Sequence, residues 1–176
     1  ELVWLDRRGN VSPVGAPLEP YYEPLISPDG TKIASTVFGA THTVVVYDLV
    51  RGSSTRAKTE GNCRLVSWYP DGRHLLVDSD AGGDGASHLY AADADGADGF
   101  RGVAAGLHVE DPMRLAQLPD GMGVIHPMEN GLYFTRLEGD PRPQRLTDFG
   151  ENSPGRPKLS PDGRWLAYEV DVAGRP

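Results

Sequence analysis

Five side chains hold the most legible chemistry in this sequence, and each is placed relative to a recurring Pro-Asp-Gly triplet. Tyr22 and Arg64 stand six residues before their triplets; Glu23, Arg114 and Arg156 stand five before theirs. Arginine offers a planar fork that matches carboxylate or phosphate. Three arginines near the start of the inner strands, beside a tyrosine and a glutamate, therefore predict an anion-binding rim. The alternative is that they pair with acidic neighbours or stand solvated at the edge of an acidic protein.

The other candidates are weaker. Alternating aspartates in Asp78-Ser79-Asp80-Ala81-Gly82-Gly83-Asp84-Gly85 can supply hard oxygen ligands for calcium. The spacing lacks the terminal glutamate of a calcium loop, and Asp-Gly-rich connections are ordinary turn chemistry, so a plain turn is expected. Asp93-Ala94-Asp95-Gly96-Ala97-Asp98-Gly99 is read the same way. His108 with Glu110 or Asp111 can form a metal or acid–base pair, but a lone loop histidine is ordinarily solvated. There is no Gly-x-Ser-x-Gly elbow, His-Glu-x-x-His helix, phosphate-cradling Gly-x-x-x-x-Gly-Lys loop or paired-cysteine metal signature. The expectation is no catalytic residue, no metal and no cofactor.

The triplets themselves define the elements that must position these residues. They occur at Pro28-Asp29-Gly30, Pro70-Asp71-Gly72, Pro119-Asp120-Gly121 and Pro161-Asp162-Gly163. Proline presets φ, aspartate hydrogen-bonds nearby backbone, and glycine takes the left-handed conformation that closes a hairpin. Five residues past each proline sits Ile33, Leu75, Val124 or Leu166; one further sits Ala34, Leu76, Ile125 or Ala167. Matched apolar positions at a fixed distance from a turn predict one strand used four times. The prolines stand 42, 49 and 42 residues apart, a period for four short strands and a β-propeller blade. Predicted strands follow for blade one at Tyr22–Ile26, Lys32–Phe38, Thr43–Asp48 and Ser54–Lys58. For blade two they are Arg64–Trp68, His74–Asp78 and Ser87–Ala92, and for blade three Val124–His126 and Leu132–Thr135. The residues that lengthen the middle interval fall between Gly96 and Pro112, a loop insertion of the kind that often carries function.

Counting from Pro161 off the end of the chain and back in to Pro28 gives 43 residues, one further period. Residues 154–176 therefore supply the first two strands of a fourth blade and residues 1–16 its last two. The other blades span 20–60, 61–104 and 112–150. Bare strand edges at both ends seek partners. The ends close a four-bladed ring within one chain, meet a second copy to make half of an eight-bladed ring, or adjoin blades of a longer protein.

Ser27-Pro28-Asp29-Gly30 followed by Thr31-Lys32-Ile33-Ala34, and Ser160 through Tyr168, resemble the repeats of TolB-like propellers, a branch of the WD-repeat-like β-propellers. Leu2-Val3-Trp4-Leu5-Asp6-Arg7-Arg8-Gly9 is similar to segments of bacterial propellers attached to serine/threonine kinases or prolyl-oligopeptidase-type hydrolases. The third repeat departs from the pattern, with Leu118 in place of serine and no basic residue after glycine, so the shape of its blade is the least determined. The resemblance implies an all-β propeller of four-stranded antiparallel blades and an extracytoplasmic location, but leaves the role open.

Composition narrows the classes. The chain has 176 residues, 22 glycines, 15 prolines and a formal charge of −8. Phosphate contacts need a basic face, so nucleic-acid binding is not expected. No apolar run approaches the ~20 residues that span a bilayer, so membrane insertion is not expected. Cys63, the single cysteine, is expected to be a buried structural thiol. The leading functional expectation is a non-catalytic module that binds a protein or peptide, as a homodimer or a closed monomer. A gating domain of a kinase or peptidase comes second, and a small lyase or sugar hydrolase third.

Overall fold

The computed structural model describes residues 1–97, 99–108 and 111–171, and leaves aside the side chain of Pro112. Asp98, Glu110 and residues 172–176, which the sequence placed in a turn, beside His108 and in the fourth blade, lie outside the described residues. Strands account for nearly all the regular structure. They run β1 (Val3–Leu5), β2 (Val11–Pro13), β3 (Tyr21–Ile26), β4 (Lys32–Val37), β5 (Thr43–Asp48) and β6 (Ser53–Arg56). Next come β7 (Cys63–Trp68), β8 (His74–Ser79), β9 (His88–Asp93) and β10 (Arg101–Gly102). After a 3₁₀ turn at Pro112–Arg114 follow β11 (Ala116–Gln117), β12 (Gly123–Met128), β13 (Gly131–Arg136) and β14 (Gln144–Arg145). The last are β15 (Ser153–Pro154), β16 (Lys158–Leu159), β17 (Leu166–Ala167) and β18 (Val170–Asp171).

Three antiparallel four-stranded meanders result: β3-β4-β5-β6, β7-β8-β9-β10 and β11-β12-β13-β14. The Pro-Asp-Gly turn joins the first two strands of each, and its side chains explain the motif. Asp29 Oδ1 accepts from the Thr31 amide at 3.0 Å and from the Ser27 hydroxyl at 2.6 Å. Ser27 Oγ in turn accepts from the Lys32 amide at 2.9 Å. These bonds hold the Asp29 carboxyl at a pKa of about 2, with the Ser27 hydroxyl the largest contributor. Ser160 and Asp162 repeat the arrangement, at 2.6 Å between them and 3.0 Å from the Trp165 amide to Ser160 Oγ. Leu118 cannot, yet its turn keeps the same backbone bonds: Gly121 N donates to Leu118 O and Leu118 N to Gly123 O, each at 2.9 Å. The third sheet has four strands like its neighbours, because the backbone pattern and not the serine sets the turn.

The turns also abut one another. A Cβ at Gly72 would lie 3.8 Å from Pro28 Cδ, one at Gly121 only 2.8 Å from Pro70 Cδ, and one at Gly163 3.3 Å from Pro119 Cγ. Each glycine, already at positive φ, seats against the proline of the preceding turn. Residues 27–30, 70–72, 119–121 and 160–163 therefore line up along one end of the stacked sheets.

Between the sheets, the two matched apolar positions after each triplet prove to be the two faces of one strand. Leu75 packs with Ala34, Val44, Val46 and Leu65 in the core between the first and second sheets. Leu76, its neighbour, packs with Leu89, Leu115, Val124 and Leu137 in the core between the second and third. A strand covered on both faces needs a continuous apolar run, which is why Val44-Val45-Val46-Tyr47 lacks alternation. Two hydrogen bonds bridge sheets one and two inside this core: Trp68 Nε1 to Leu25 O at 3.0 Å and the Leu65 amide to Thr36 Oγ1 at 2.9 Å. Cys63 is fully buried there, and burial pushes its thiol pKa up.

Of the three outcomes expected for the chain ends, closure within one chain is not what the described residues form. β15 pairs with β18 and β16 with β17, giving an interrupted hairpin against the third sheet, where β11 touches β16 and β13 touches β15. β1 and β2 form a separate two-stranded sheet, and a Cβ at Gly15, just beyond it, would meet Tyr47 Oη at 3.3 Å. Two-stranded sheets thus flank three four-stranded ones. Among the described residues they do not pair with each other, so closure within one chain is not found.

Candidate functional site

Because the meanders are antiparallel, successive connections alternate between the two ends of the stack. The end opposite the Pro-Asp-Gly turns gathers the β4–β5 connection, the β8–β9 connection, the entry to β7 and the long segment between β10 and β11. Two cavities open there. One, of about 560 Å³, is lined by residues that include Tyr22, Glu23, Phe38, His42, Arg64, Asp80, Asp111 and Met113. The other, of about 400 Å³, is lined by residues that include His108, Arg114, His126 and Glu129, and shares Asp111 with the first.

Backbone irregularities aim the first set. The register of β3 shifts between Tyr22 and Leu25, and Glu23 inside that bulge has φ +51°. Bulges bend a strand and redirect its side chains, and non-glycine residues at positive φ concentrate at functional sites. Buried Ser35 braces the bulge, its hydroxyl donating to Tyr22 O at 2.9 Å and accepting from the Tyr22 amide at 3.2 Å. A second shift between Leu65 and Ser67 bends β7 beside Arg64. Tyr22 packs edge-on against Phe38 with ring centres 5.0 Å apart, Phe38 against His42 at 4.4 Å, and Tyr22 Oη reaches Met113 Sδ at 3.6 Å. The result is an aromatic wall partly open to solvent.

Charge on this wall is unevenly committed. Arg64 Nη2 and Nε donate to Asp78 Oδ2 at 2.7 and 3.2 Å. Asp78 is 1% exposed, and its Oδ1 has no hydrogen-bond partner among the described residues. Burial pushes the Asp78 pKa up and Arg64 works against that rise. Asp80 accepts from the Asn62 amide and side chain at 2.7 and 2.9 Å, which hold its pKa down. In the second cavity, Arg114 Nη2 donates to the Pro154 carbonyl at 2.7 Å. His126 is buried with Nε2 2.9 Å from Thr135 Oγ1, and burial lowers its pKa.

The structure therefore brings together Tyr22, Glu23 and Arg64 and turns Arg114 into the adjoining cavity. Arg156 is exposed, lines neither cavity, and makes no side-chain hydrogen bond or ion pair among the described residues. Among the described residues the three arginines do not line one cavity together. Phe38, His42 and Met113 were not singled out from the sequence, although Met113 stands at the repeat position of Tyr22 and Arg64. The aspartate loops are mostly turns as expected: Asp95 Oδ1 accepts from the Ala97 amide at 3.0 Å and Asp84 Oδ1 from the Ala86 amide at 3.1 Å. His108 is not simply solvated. Its ring centre lies 4.9 Å from that of His88, while Asp111 Oδ1 accepts from the Met113 amide instead.

With this geometry in place, the comparison with solved structures is informative. TolB from Acinetobacter baumannii superposes on 98% of this chain with a TM-score of 0.74 at 22% identity. The fold is a TolB-like β-propeller. A protein assigned as TolB from Agrobacterium tumefaciens matches 94% of the chain with a TM-score of 0.67 at 21% identity. The β-propeller domain of the Trilobed protease from Pyrococcus furiosus, described as having an open velcro topology, matches 90% with a TM-score of 0.51 at 18% identity. The chain spans 43%, 59% and 57% of the length of those three. No protein-family model matches it, and no curated protein matches it in sequence.

Proposed function

We propose that this propeller is a non-catalytic recognition module that binds an extended protein segment at the mouth opposite its Pro-Asp-Gly turns. The supporting observation is the aromatic wall of Tyr22, Phe38 and His42 set beside Glu23, Asp80 and Asp111 around one cavity. Arg64 lines the same cavity, but its charge is already matched by Asp78. The carboxylates left over favour a segment with a cationic side chain seated over the aromatic rings, where charge and ring face both attract it. Fluorescence anisotropy with labelled flexible peptides of opposite charge tests this. Basic peptides are expected to bind, and the paired substitution Tyr22→Ala with Glu23→Gln to weaken them at least about tenfold, a 1.4 kcal/mol loss. Preferential binding of acidic peptides, lost on replacing Arg64, Arg114 and Arg156 together, would restore the anion-binding reading. Binding of neither class removes the recognition role.

A second reading, a gating propeller of a larger enzyme, is favoured by the likeness to a protease propeller domain. Both readings require partners for the half-blades, where Val3, Leu5 and Val11 at one end and Trp165 at the other are at least half exposed. A second copy supplies those strands in the homodimer we favour. Multi-angle light scattering of the purified chain is then expected to give twice the monomer mass, and a concentration-independent monomer would assign the strands to other blades of a longer protein.

A further inference from the structure

We propose that Asp84, His88 and His108 form a binding site for a divalent first-row transition ion, with zinc the best fit. His88 opens β9, Asp84 lies four residues earlier in the β8–β9 connection, and His108 comes from the long segment between β10 and β11. One ligand atom from each lies within 4.8 Å of the other two, and His88 Nε2 is 2.9 Å from Asp84 Oδ2. A tetrahedral ion with bonds of ~2.1 Å sets its donors ~3.4 Å apart. Asp84 and His108 are the exposed members of the group, so theirs are the side chains that must adjust to reach that spacing.

The backbone already holds the two histidines together. An isolated antiparallel bridge pairs His88 with His108. The connection folds closely over His88: a Cβ at Gly82 would lie 3.3 Å from His88 Cδ2 and 3.6 Å from Asp84 Oδ1. The insertion that lengthens the middle repeat is what delivers His108. Two imidazoles and one carboxylate suit zinc, copper, nickel or iron, whereas calcium and magnesium take oxygen donors.

His74 provides the internal contrast. It also faces two carboxylates, but Nδ1 meets Asp71 at 2.5 Å while Nε2 meets Asp93 at 3.1 Å. Its nitrogens point to opposite partners, so the group is a hydrogen-bonded clamp and not a chelate. At the Asp84 site a bound ion ties the β8–β9 connection to the entry of the third sheet. Three protein donors leave a fourth position for water or for a donor from a bound partner. His108 also lines the 400 Å³ cavity, so such a donor arrives on the same face as the mouth.

Chelator-treated protein titrated with zinc by calorimetry is expected to bind one ion per chain. Cobalt is expected to give a visible absorption band that zinc abolishes. His108→Ala and Asp84→Asn, both at solvent-exposed positions, should each weaken binding by more than the roughly 10–100-fold that loss of an outer-shell partner costs. In parallel, paramagnetic cobalt should broaden the ring resonances of His88 and His108 in the unaltered protein and spare His74 and His126. Absence of stoichiometric zinc binding overturns the proposal. So does zinc binding by both variants as tight as that of the unaltered protein, or broadening centred on His74.

Discussion

Replacing Arg64 with leucine is expected to cost the fold about 3 kcal/mol at pH 7, the low end of the roughly 3–5 that follows when one partner of a buried pair is removed. The low end applies because the Arg64 side chain is 34% exposed and water can reach the gap, whereas Asp78 is 1% exposed. The remaining carboxylate would sit in the interior with no fork on Oδ2, the Ser87 hydroxyl being the neighbour left to favour its charged form. Its recourse is to take a proton. A carboxyl whose folded pKa lies above its unfolded value binds protons more tightly in the native state, so stability falls as pH rises through that window and recovers as pH drops. Urea denaturation of Arg64→Leu should therefore show a midpoint that rises from pH 7 to pH 5, more steeply than in the unaltered protein. Adding Asp78→Asn to Arg64→Leu should flatten that slope and recover most of the loss. An Arg64→Leu midpoint unchanged at pH 7 would show that the pair carries no weight.

The same pair explains why the sequence placed an arginine rim where the structure has an aromatic and acidic wall. Repeat alignment gives a residue's height along the inner strand, and Tyr22, Glu23, Arg64 and Met113 do share one cavity. It does not give the side chain's commitments. Asp78 is fourteen residues from Arg64, and their contact exists because β7 and β8 pair with Arg64 opposite Asp78. The turns were legible for the converse reason: proline, aspartate and glycine act on backbone within two or three residues of themselves. Central strands were legible too, since coverage on both faces leaves an unbroken apolar run. The outer strands β10 and β14, two residues each and exposed, carry no such pattern. His88 and His108 stand twenty residues apart, and the bridge joining them comes from the path of an insertion that follows no repeat. The i, i+4 spacing of Asp84 and His88 was the available hint.

Adjacent leucines on β8 are expected to separate the two interfaces of the middle sheet. Leu75→Ala and Leu76→Ala should each destabilise the protein by about 3 kcal/mol, within the roughly 2–5 that a fully buried leucine costs on truncation, since both are 0% exposed. Their consequences should differ in place. Leu75 faces the core shared with Val44 and Val46, and Leu76 the core shared with Val124 and Leu137. Stacked repeats draw stability from nearest-neighbour contacts, so loosening one interface need not loosen the other. Native-state hydrogen exchange should show Leu75→Ala lowering protection of the β5 amides while sparing β13, and Leu76→Ala doing the reverse. The pair points to opposite faces and shares no apolar core, so a double-mutant cycle should give coupling below about 0.5 kcal/mol. Uniform loss of protection by either variant would mean that the three sheets unfold as one unit, and that each open end is held by the whole stack instead of by the sheet beside it.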